Sequence, residues 1–207
     1  MDAAGWDERY DTAEFVWATE PNRFLPGEVE GLVPGRALDV ACGEGRNAVW
    51  LATQGWSATG IDFSAVGLAK AAQLAEHAGV TCDWMVADVA ESRPAGAPAG
   101  PQFDLVVLFY AQMEAEGRRN MLASSALALA PGGTLLWVAH DLTNLADGVG
   151  GPQDASVLSG PDDVIADLLA AVPDLVVERA EVVRRPVERD GRTVDALDTL
   201  VRVRRHD

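Results

Sequence analysis

The sequence is poor in cysteine, in basic residues and in long apolar runs, and each shortage argues against a class of protein. Its two cysteines form no C-x-x-C pair and no disulfide framework, which is typical of a reducing cytoplasm. Sixteen basic residues stand against 32 acidic ones, and this net charge of −16 opposes nucleic-acid or membrane binding through a broad basic surface. No apolar run approaches the roughly 20 residues that cross a membrane, and the acidic start MDAAGWDERYD lacks the apolar stretch of a secretory signal. We therefore expect a cytoplasmic protein with no nucleic-acid partner and no membrane partner.

The chain has 207 residues, of which 48% are hydrophobic, and this suits one compact domain. From residue 36 onward, patterns typical of buried strands alternate with patterns typical of helices. The expected strands are residues 36–41, 57–62, 80–86, 103–109 and 134–139, and the expected helices are residues 46–54, 64–77, 112–130 and one that starts at Pro161. Residues 93–101 contain three prolines and two glycines and are expected to form a loop.

The C-terminal part of the sequence predicts an antiparallel hairpin. Residues 175–187 and 193–203 have the pattern of two long strands, and Asp190-Gly191 between them is a strong hairpin signal. A purely parallel dinucleotide fold normally finishes with a helical crossover instead. We therefore predict an α/β fold with a Rossmann-like, doubly wound, seven-stranded mixed sheet, mostly parallel with a C-terminal antiparallel hairpin. The late arginines are expected to form a solvated face: Arg184, Arg185, Arg202, Arg204 and Arg205.

The first 35 residues are polar but rich in aromatic side chains. Trp6 and Tyr10 lie four residues apart, so they would share one face of a helix. The residues from Glu28 to Val33 allow a short helix that ends at Pro34-Gly35. Because the sequence shows no internal repeat and no low-complexity linker, we expect a single domain over residues 1–207. It would consist of a helical segment, residues 1–35, and a Rossmann-like core, residues 36–207.

The stretch ALDVACGEGRNAVWLA passes from a buried strand through a glycine turn into a helix. This order of elements positions a small polar ligand at the carboxyl end of the strand. Asp39 lies just before the turn, and Glu44 lies between Gly43 and Gly45. A loop built for a pyrophosphate would hardly be surrounded by carboxylates, whereas a loop for a cationic ligand suits them.

Five stretches, taken in order, resemble the motifs of class I S-adenosylmethionine-dependent methyltransferases. They are LDVACGEGRNA, GIDFS, MVADV, FDLVVLFY and LAPGGTLL. Each motif is weak alone, but five in order at suitable spacing are specific, and the match extends from about residue 36 to the C-terminus. The resemblance implies an enzyme that uses S-adenosylmethionine and releases S-adenosylhomocysteine, so that the single domain would be a methyltransferase domain.

The implied ligand carries a sulfonium, an ammonium and a carboxylate. Gly43 and Gly45 would let the backbone approach its methionine part without obstruction by a Cβ atom. Asp39 would hold the ammonium, directly or through water, and the start of the helix near Arg46 would help to hold the carboxylate.

The nucleoside part of the ligand is assigned to the ends of the second and third strands. Asp62 is placed to accept both ribose hydroxyls, although it could merely end its strand. The resemblance implies that Phe63 covers the adenine and that Asp88, alternatively a helix N-cap, reads the adenine edge with the backbone of Val89. The predicted cofactor residues of the core are Asp39, Ala41, Cys42, Gly43, Glu44, Gly45, Asn47, Asp62, Phe63, Ser64, Ala87, Asp88, Val89 and Phe109.

The segment WDERYDTAEFVWATEPNRFL resembles the lead segment of the tellurite-resistance and thiopurine methyltransferase branch. In that branch an aromatic helix folds over the cofactor. The resemblance makes Trp6, Tyr10 and Trp17 candidates for a lid that contacts the cofactor, because flat aromatic faces suit adenine and also attract a sulfonium. The alternative is a helix that only packs on the domain by its aromatic side chains.

The acceptor site is predicted after the fourth and fifth strands. His140 could act as a general base, because imidazole titrates near neutral pH, or it could be structural. The glycine-rich residues 148–158 are long enough to form a lid. No dense cluster of metal ligands is present in the sequence, so no metal is expected. The predicted acceptor-site residues are Tyr110, Gln112, Met113, Glu114 and Asp141.

These patterns predict methyl transfer to a small-molecule acceptor, a thiol, oxygen, nitrogen or metalloid nucleophile, by a monomer or homodimer. The asparagine-proline-proline-aromatic signature of amide and adenine methylases is absent after the fourth strand, where LFYAQ stands. An NAD(P)-dependent oxidoreductase is the rival enzyme, because the loop also fits G-x-G-x-x-A. The carboxylates around the glycines and the terminal hairpin count against it. A second alternative is a non-catalytic module that binds S-adenosylmethionine.

Overall fold

Seven strands form one mixed sheet in the computed structural model, which describes residues 2–12, 14–91, 102–189 and 191–206. The predicted loop at residues 93–101 and Asp190 of the predicted turn lie outside the described residues. The strands are β1 (Arg36–Val40), β2 (Ser57–Asp62), β3 (Asp83–Val86), β4 (Phe103–Phe109), β5 (Leu129–His140), β6 (Val176–Arg189) and β7 (Arg192–Arg204). The helices are α1 (Ala3–Tyr10), α2 (Leu25–Glu28), α3 (Arg46–Thr53), α4 (Ala65–Ala78), α5 (Ala115–Ala128), α6 (Asn144–Asp147) and α7 (Pro161–Ala171), with a 3-10 turn at Ala155–Val157.

The strand order is β3-β2-β1-β4-β5-β7-β6. Neighbours from β3 through β5 pair in parallel, whereas β7 is antiparallel to both β5 and β6. The predicted doubly wound mixed sheet with a C-terminal antiparallel hairpin is therefore confirmed. None of the helices in the described part of the chain has the length and apolar character needed to span a bilayer.

Strand β4 is the centre of the sheet and is covered on both faces. Successive side chains of a strand point to opposite faces, so Val106 and Leu108 enter one core while Leu105 and Val107 enter the other. The first core is closed by α5 and α7 and the second by α2 and α3. An unbroken apolar run is what a parallel strand buried on both faces requires.

Several predicted boundaries differ from the structure, including that of α5, which begins at Ala115 rather than at residue 112. The short helix is Leu25–Glu28 rather than residues 28–33, because proline is well tolerated in a first helical turn and the left-handed Gly31 (φ 81°) follows the helix. Strand β5 begins at Leu129, and its pairing with β4 shifts register before the run that starts at Thr134. Strand β3 is confined to Asp83–Val86 instead of residues 80–86.

The C-terminal hairpin projects beyond the carboxyl edge of the sheet. Pairing of β5 with β7 ends at His140 opposite Asp198, but β6 and β7 continue to pair for six more residues, up to Arg189 opposite Arg192. At a rise of about 3.3 Å per residue this extension is roughly 20 Å long. The hairpin therefore forms a wall beside the end of the sheet at which parallel strands present their ligands.

Because the centre of the sheet is packed on both faces, Leu105→Ala should lower the free energy of unfolding by about 3 kcal/mol. Leu105 is fully buried, whereas Leu127 on α5 is 52% exposed. Leu127→Ala is therefore the matched control and should cost under about 0.5 kcal/mol. Urea denaturation followed by circular dichroism measures both, and equal losses would contradict the central position of β4.

Candidate cofactor and acceptor site

The glycine loop follows β1 and turns through alternating left-handed residues. Ala41 (φ 55°), Gly43 (φ 54°) and Gly45 (φ 78°) all have positive φ. Tyr110, which follows the neighbouring β4, is the other described non-glycine residue with positive φ, at 56°. Two non-glycine residues in this costly conformation lie at the carboxyl ends of adjacent strands. Backbone strain of this kind concentrates at functional sites.

The two glycines of the loop face different neighbours. A Cβ atom on Gly43 would lie 2.7 Å from the hydroxyl oxygen of Tyr10, on the side of the N-terminal helix. A Cβ atom on Gly45 would lie 2.5 Å from the Cβ atom of Ala71 and 2.8 Å from the ring of Trp84. Gly43 thus permits the close approach of the Tyr10 hydroxyl to the loop. Gly45 permits close packing of the loop against α4 and β3.

Asp62 ends β2 and is almost fully buried. Its Oδ2 accepts a hydrogen bond from the Gly43 amide at 2.8 Å, and its Oδ1 accepts one from the Ser64 amide at 2.9 Å. Burial raises the pKa of this carboxyl group above its ordinary value. Each carboxylate oxygen has two acceptor positions, so the contacts that shape the loop leave capacity for the two ribose hydroxyls.

Asp39 is a buried residue of β1, the strand that leads into the glycine loop. Its Oδ2 accepts a hydrogen bond from the Ala48 amide in the first turn of α3 at 3.0 Å. Burial raises its pKa from 3.8 to about 7, because only that backbone donor and the charge of Arg46 oppose the loss of hydration. The contact fixes the start of α3 against β1, and a role in holding the ammonium stays a prediction.

Glu44 is buried and contacts the N-terminal segment. Its two carboxylate oxygens accept hydrogen bonds from the amides of Val16 and Trp17, each at 3.0 Å. Lys70, the only lysine in the sequence, donates to Glu44 Oε1 at 3.1 Å and to the Glu14 carbonyl at 2.6 Å. The charge of Glu44 is therefore balanced by Lys70. Glu44 fastens residues 14–17 to the glycine loop.

An aromatic cluster of α1 lies beside the loop. The rings of Trp6 and Tyr10 are stacked with centroids 5.3 Å apart, and those of Trp6 and the exposed Trp17 are 6.4 Å apart. The Arg9 guanidinium lies 5.0 Å from the rings of both tryptophans. The three predicted lid residues are thus brought together, and Tyr10 contacts the loop through Gly43.

Helix α1 is held in this place by its acidic residue Asp7. The Ser64 hydroxyl donates to Asp7 Oδ1 at 2.5 Å, and the Val66 amide donates at 3.3 Å. Ser64 also caps α4 by accepting from the Gly67 amide at 3.0 Å, as predicted for this residue. A carboxylate at the first turn of a helix is favoured by the helix dipole, so α1 docks onto the N-terminus of α4.

The remaining predicted cofactor residues surround the same edge. Asp88 is exposed, and its Oδ1 accepts from the Ala90 amide at 2.9 Å, which is the contact of an Asx turn. Asn47 is buried, and its Oδ1 accepts from the Asn22 amide at 2.8 Å. Burial raises the pKa of the Cys42 thiol well above its usual value, so this cysteine is not a nucleophile. Ala87, Val89 and Phe109 are buried and Phe63 is half-buried.

The donors and acceptors at this edge fit S-adenosylmethionine. The Asp62 carboxylate has acceptor positions that suit a ribose, and it lies beside the backbone of Gly43. The buried amide nitrogen of Gln112 has no hydrogen-bond partner among the described residues, so a donor is left over for a ligand oxygen. No group of three or more possible metal ligands lies within the described ranges.

The acceptor side of the edge is organised around Asp198, which sequence reasoning missed. This residue of β7 has no exposed surface. Its Oδ2 accepts from the Tyr110 hydroxyl at 2.8 Å and from Arg185 Nε at 2.6 Å. His140 Nδ1 lies 3.3 Å from Asp198 Oδ1, in ion-pair range. Burial acts to raise the pKa of Asp198, but the nearby His140 and the hydrogen bonds from Arg185 and Tyr110 hold it below its ordinary value.

An open cleft of about 400 Å³ adjoins this cluster. It is lined by His140 and Arg185, by Gly150-Gly151 of the predicted lid loop, and by Val187 and Glu188 of the projecting hairpin. Arg185 was expected on a solvated face, but it is only partly exposed, because Asp198 of the paired strand draws its guanidinium inward. An aspartate in the otherwise apolar stretch ALDTLV was the available signal.

The other predicted acceptor residues are not among those that line this cleft. Asp141 is buried, and it accepts from the Thr143 amide at 2.8 Å and from the Thr199 hydroxyl at 2.6 Å. Met113 is half-buried against the first core, and Glu114 is exposed at the start of α5. The contacts of Asp141 join β5 to β7.

A doubly wound sheet with a terminal antiparallel hairpin, a glycine loop after β1 and an acid after β2 defines the architecture of class I methyltransferases. Residues 37–133 match the family model of a methyltransferase domain. Ribosomal RNA small subunit methyltransferase C of Alcanivorax borkumensis is 30% identical over 112 residues, which are 52% of this chain. The chain spans about a third of the length of that relative, 33%.

Solved structures have the same fold across almost the whole chain. A protein described for the conversion of a disulfide bond into a thioacetal group during echinomycin biosynthesis has a TM-score of 0.76 at 20% identity, covering 99% of this chain and 91% of that one. The N-methyltransferase NodS of Bradyrhizobium japonicum, in complex with S-adenosylhomocysteine, has a TM-score of 0.70 at 17% identity, covering 99% and 98%. TehB of Haemophilus influenzae has a TM-score of 0.68 at 16% identity, covering 98% and 66%. The predicted class I methyltransferase fold is thereby confirmed, and residues 37–133 match a methyltransferase domain.

A matched pair of substitutions tests the packing role of Gly45. Gly79 also has positive φ (68°), but a Cβ atom there meets nothing within 4 Å. Gly79→Ala should therefore cost only the backbone strain, about 1 kcal/mol. Gly45→Ala should cost about 2 kcal/mol more, because its methyl group overlaps Ala71 and Trp84. Thermal and urea unfolding measure both, and equal costs would disprove the packing role of Gly45.

The raised pKa of Asp39 predicts a pH dependence of stability. Since the folded protein holds this proton up to about pH 7 and the unfolded chain releases it near the ordinary value of 3.8, stability should fall as pH rises between those values. The contribution is on the order of a few kcal/mol. Asp39→Asn should flatten the fall, whereas Asp83→Asn, on exposed β3 surface, should keep it. Urea titrations from pH 4 to 7.5 provide the measurement, and an unchanged slope in Asp39→Asn would contradict the assignment.

Proposed function

We propose that the protein transfers the methyl group of S-adenosylmethionine to a small-molecule acceptor bound in the cleft beside His140. The observation that carries this proposal is the cleft itself. Its volume of about 400 Å³ lies within the range of small-ligand pockets. The cleft adjoins the end of β5 through His140, and the strand order places β4 and then β1 with its glycine loop beside that end.

The cofactor half of the site uses the residues at the ends of β1 to β3. Asp62 would bind the ribose, and Gly43 would let the methionine part lie against the backbone. When bound, S-adenosylmethionine supplies an electrophilic methyl group. The cluster of Trp6, Tyr10 and Trp17 would exclude water from that side, because α1 is docked on α4 through Asp7.

In the acceptor half, the protein's main contribution would be orientation. Holding two reactants in line lowers the barrier without any covalent help from the enzyme. His140 would assist as a general base where the acceptor must lose a proton. An acceptor that already carries a free lone pair, such as a thiolate or a metalloid anion, would need only the placement that the cleft walls give.

The relatives differ in their acceptor atoms. NodS is named an N-methyltransferase, and the echinomycin protein is described as acting on a disulfide bond. Because one fold serves both, the fold does not select nitrogen, sulfur or oxygen, and the lining of the cleft must do so. The similarity to TehB supports placing the chain in the tellurite-resistance-like branch.

A ribosomal RNA acceptor is the second candidate, because the curated relative methylates ribosomal RNA by its name. Two observations oppose it for this chain. The net charge of −16 repels a phosphate backbone, and β4 is followed by LFYAQ rather than the signature of adenine and amide methylases. The matched region is also only 33% of that relative.

The test has two stages with separate outcomes. Calorimetric titration should show binding of S-adenosylhomocysteine and no binding of NADH; the reverse would support an oxidoreductase. Methyl-labelled S-adenosylmethionine is then incubated with thiols, phenols, amines and selenite, and in parallel with small ribosomal subunits. Label in a small molecule alone supports the proposal, label in RNA alone replaces it with the second candidate, and cofactor binding without transfer indicates a non-catalytic module.

Asp62→Ala should weaken S-adenosylhomocysteine binding at least tenfold, roughly the loss of one or two hydrogen bonds that involve a charged group. Part of the loss would come through the loop, because the Gly43 and Ser64 amides lose their acceptor. Asp83→Ala removes an exposed carboxylate from the neighbouring β3 and should leave affinity unchanged. Unchanged affinity in a folded Asp62→Ala protein would show that the ribose lies elsewhere.

A further inference from the structure

We propose that Asp198 is the positioning residue of the acceptor site. Its carboxylate would fix His140 as the tautomer protonated on Nδ1, which leaves Nε2 as the nitrogen that accepts the acceptor's proton. The inference rests on the proposed function, since the proton to be accepted belongs to the methyl acceptor. The tautomer itself is a property of the protein alone and can be tested without any substrate.

Sheet register places the two residues together. His140 is the last residue of β5 that pairs with β7, and its direct partner is Asp198. Side chains of directly opposed residues in an antiparallel pair lie about 5 Å apart at Cβ on the same face. Arg185 pairs with Ala196, two residues along β7 from Asp198, which brings its guanidinium to the same carboxylate from the other side. The arrangement is thus set by the rigid part of the fold.

The two carboxylate oxygens of Asp198 have different sets of neighbours. Oδ2 accepts from the Tyr110 hydroxyl and from Arg185 Nε, at 2.8 and 2.6 Å. Oδ1 lies 3.3 Å from His140 Nδ1 and 3.5 Å from Arg185 Nη2. A buried carboxylate needs a compensating cation to stay ionised, and Arg185 supplies it. His140 Nδ1 is buried and makes no hydrogen bond within the described residues, and the nearby Oδ1, when ionised, can only accept, so we assign the proton to that nitrogen.

The imidazole ring is also enclosed on its faces. The Tyr110 ring centroid lies 5.0 Å from that of His140, and Tyr110 is held in its strained left-handed backbone conformation. On Gly151 a Cβ atom would come within 2.8 Å of the imidazole Cγ, so the loop backbone packs directly against the ring. These contacts oppose a ring flip that would turn Nδ1 away from Asp198 and put Cδ2 in its place. Gly151 of the loop and the strained Tyr110 thus both hold the imidazole ring in one orientation.

In the transfer step, a lone pair of the protonated acceptor forms the new bond to the methyl carbon. The electrons of the broken carbon–sulfur bond stay on sulfur and give neutral S-adenosylhomocysteine. The acceptor's proton moves to His140 Nε2, and the imidazolium formed is stabilised by Asp198. Alcohols, phenols and thiols that bind in their protonated form are the acceptors that benefit. The other charged groups that line the cleft are Arg185, Glu188 and Arg189.

Nitrogen-15 NMR of the histidine rings tests the tautomer in the full-length protein. The chain contains only His77, His140 and His206, so His140→Gln assigns the signal of interest. At pH 8.5, where an ordinary imidazole is neutral, we expect His140 to be protonated on Nδ1. Asp198→Ala should move the proton toward Nε2. A wild-type His140 protonated on Nε2, or an unchanged tautomer in a folded Asp198→Ala protein, would overturn the proposal.

Two further variants guard against a merely structural effect. Asp195 accepts from Arg184 at 3.0 Å on the same hairpin and does not line the cleft, so Asp195→Ala should leave the tautomer unchanged. If Asp198→Ala does not fold because Arg185 loses its partner, the double variant Asp198→Ala/Arg185→Ala removes both charges and should give the same shift. If the folded double variant keeps the wild-type tautomer, the proposal is overturned, as it would be by the same result in the single variant.

A rate measurement then separates this inference from the proposed function. With a phenol or thiol that the acceptor panel shows to be methylated, Asp198→Ala should lower kcat at least roughly tenfold and leave S-adenosylhomocysteine affinity within about threefold. In a His140→Ala background the same substitution should have no further effect on kcat. Equal effects in both backgrounds would show that Asp198 does not act through His140. Loss of cofactor binding in the wild type would instead refute the proposed function and leave the tautomer result standing.

Discussion

The carboxylate of Asp62 is the contact on which the site depends. One oxygen holds the amide of Gly43 and so sets the course of the glycine loop; the other holds the amide of Ser64 at the start of α4. Ser64 in turn donates its hydroxyl to Asp7 of α1. A single buried acid therefore sets the positions of the loop, of a helix terminus and, through Ser64, of the N-terminal helix. The same acid faces the predicted ribose position, so structure and binding share one group.

Three buried aspartates at this edge of the sheet differ in pKa because their hydrogen-bond partners differ. Asp39 and Asp62 are met chiefly by backbone amides, and burial raises the pKa of both. Asp198 is buried as well, but its pKa is lowered because it also receives Arg185, Tyr110 and His140. A backbone donor satisfies a carboxylate without supplying a positive charge, whereas a guanidinium supplies both. The acids of β1 and β2 thus have raised pKa values, whereas the pKa of the acid opposite His140 is lowered.

The N-terminal segment connects these two halves. Glu44 holds residues 16 and 17 at the glycine loop, and Asn47 of α3 accepts from the Asn22 amide. Farther along, Arg23 donates to the Pro186 carbonyl in the projecting hairpin at 3.1 Å. The segment therefore runs from the cofactor loop to the wall of the acceptor cleft. A change in how this segment docks would therefore affect both the glycine loop and the projecting hairpin.

The sequence by itself determined the parallel core, the closing hairpin, the helix cap at Ser64 and the resemblance to methyltransferases. These features follow from local patterns, such as apolar runs, glycine turns and motif order, in which the interacting residues lie close together along the chain. It did not determine the partners of Glu44, the inward position of Arg185 or the importance of Asp198. Asp198 is 58 residues from His140 and 88 from Tyr110. Contacts between residues so far apart produce no periodic pattern in the sequence from which they could be predicted.

Only the tertiary structure decided which polar groups meet, because that depends on sheet register and on burial. The antiparallel register that places His140 opposite Asp198 is fixed by how β7 lies against β5, and a slip of one residue would turn Asp198 to the other face. Burial then sets the energetic consequence, since a carboxylate removed from water must find donors nearby. Composition could place arginines and aspartates in the hairpin, but only the folded sheet selected the pair that meets His140.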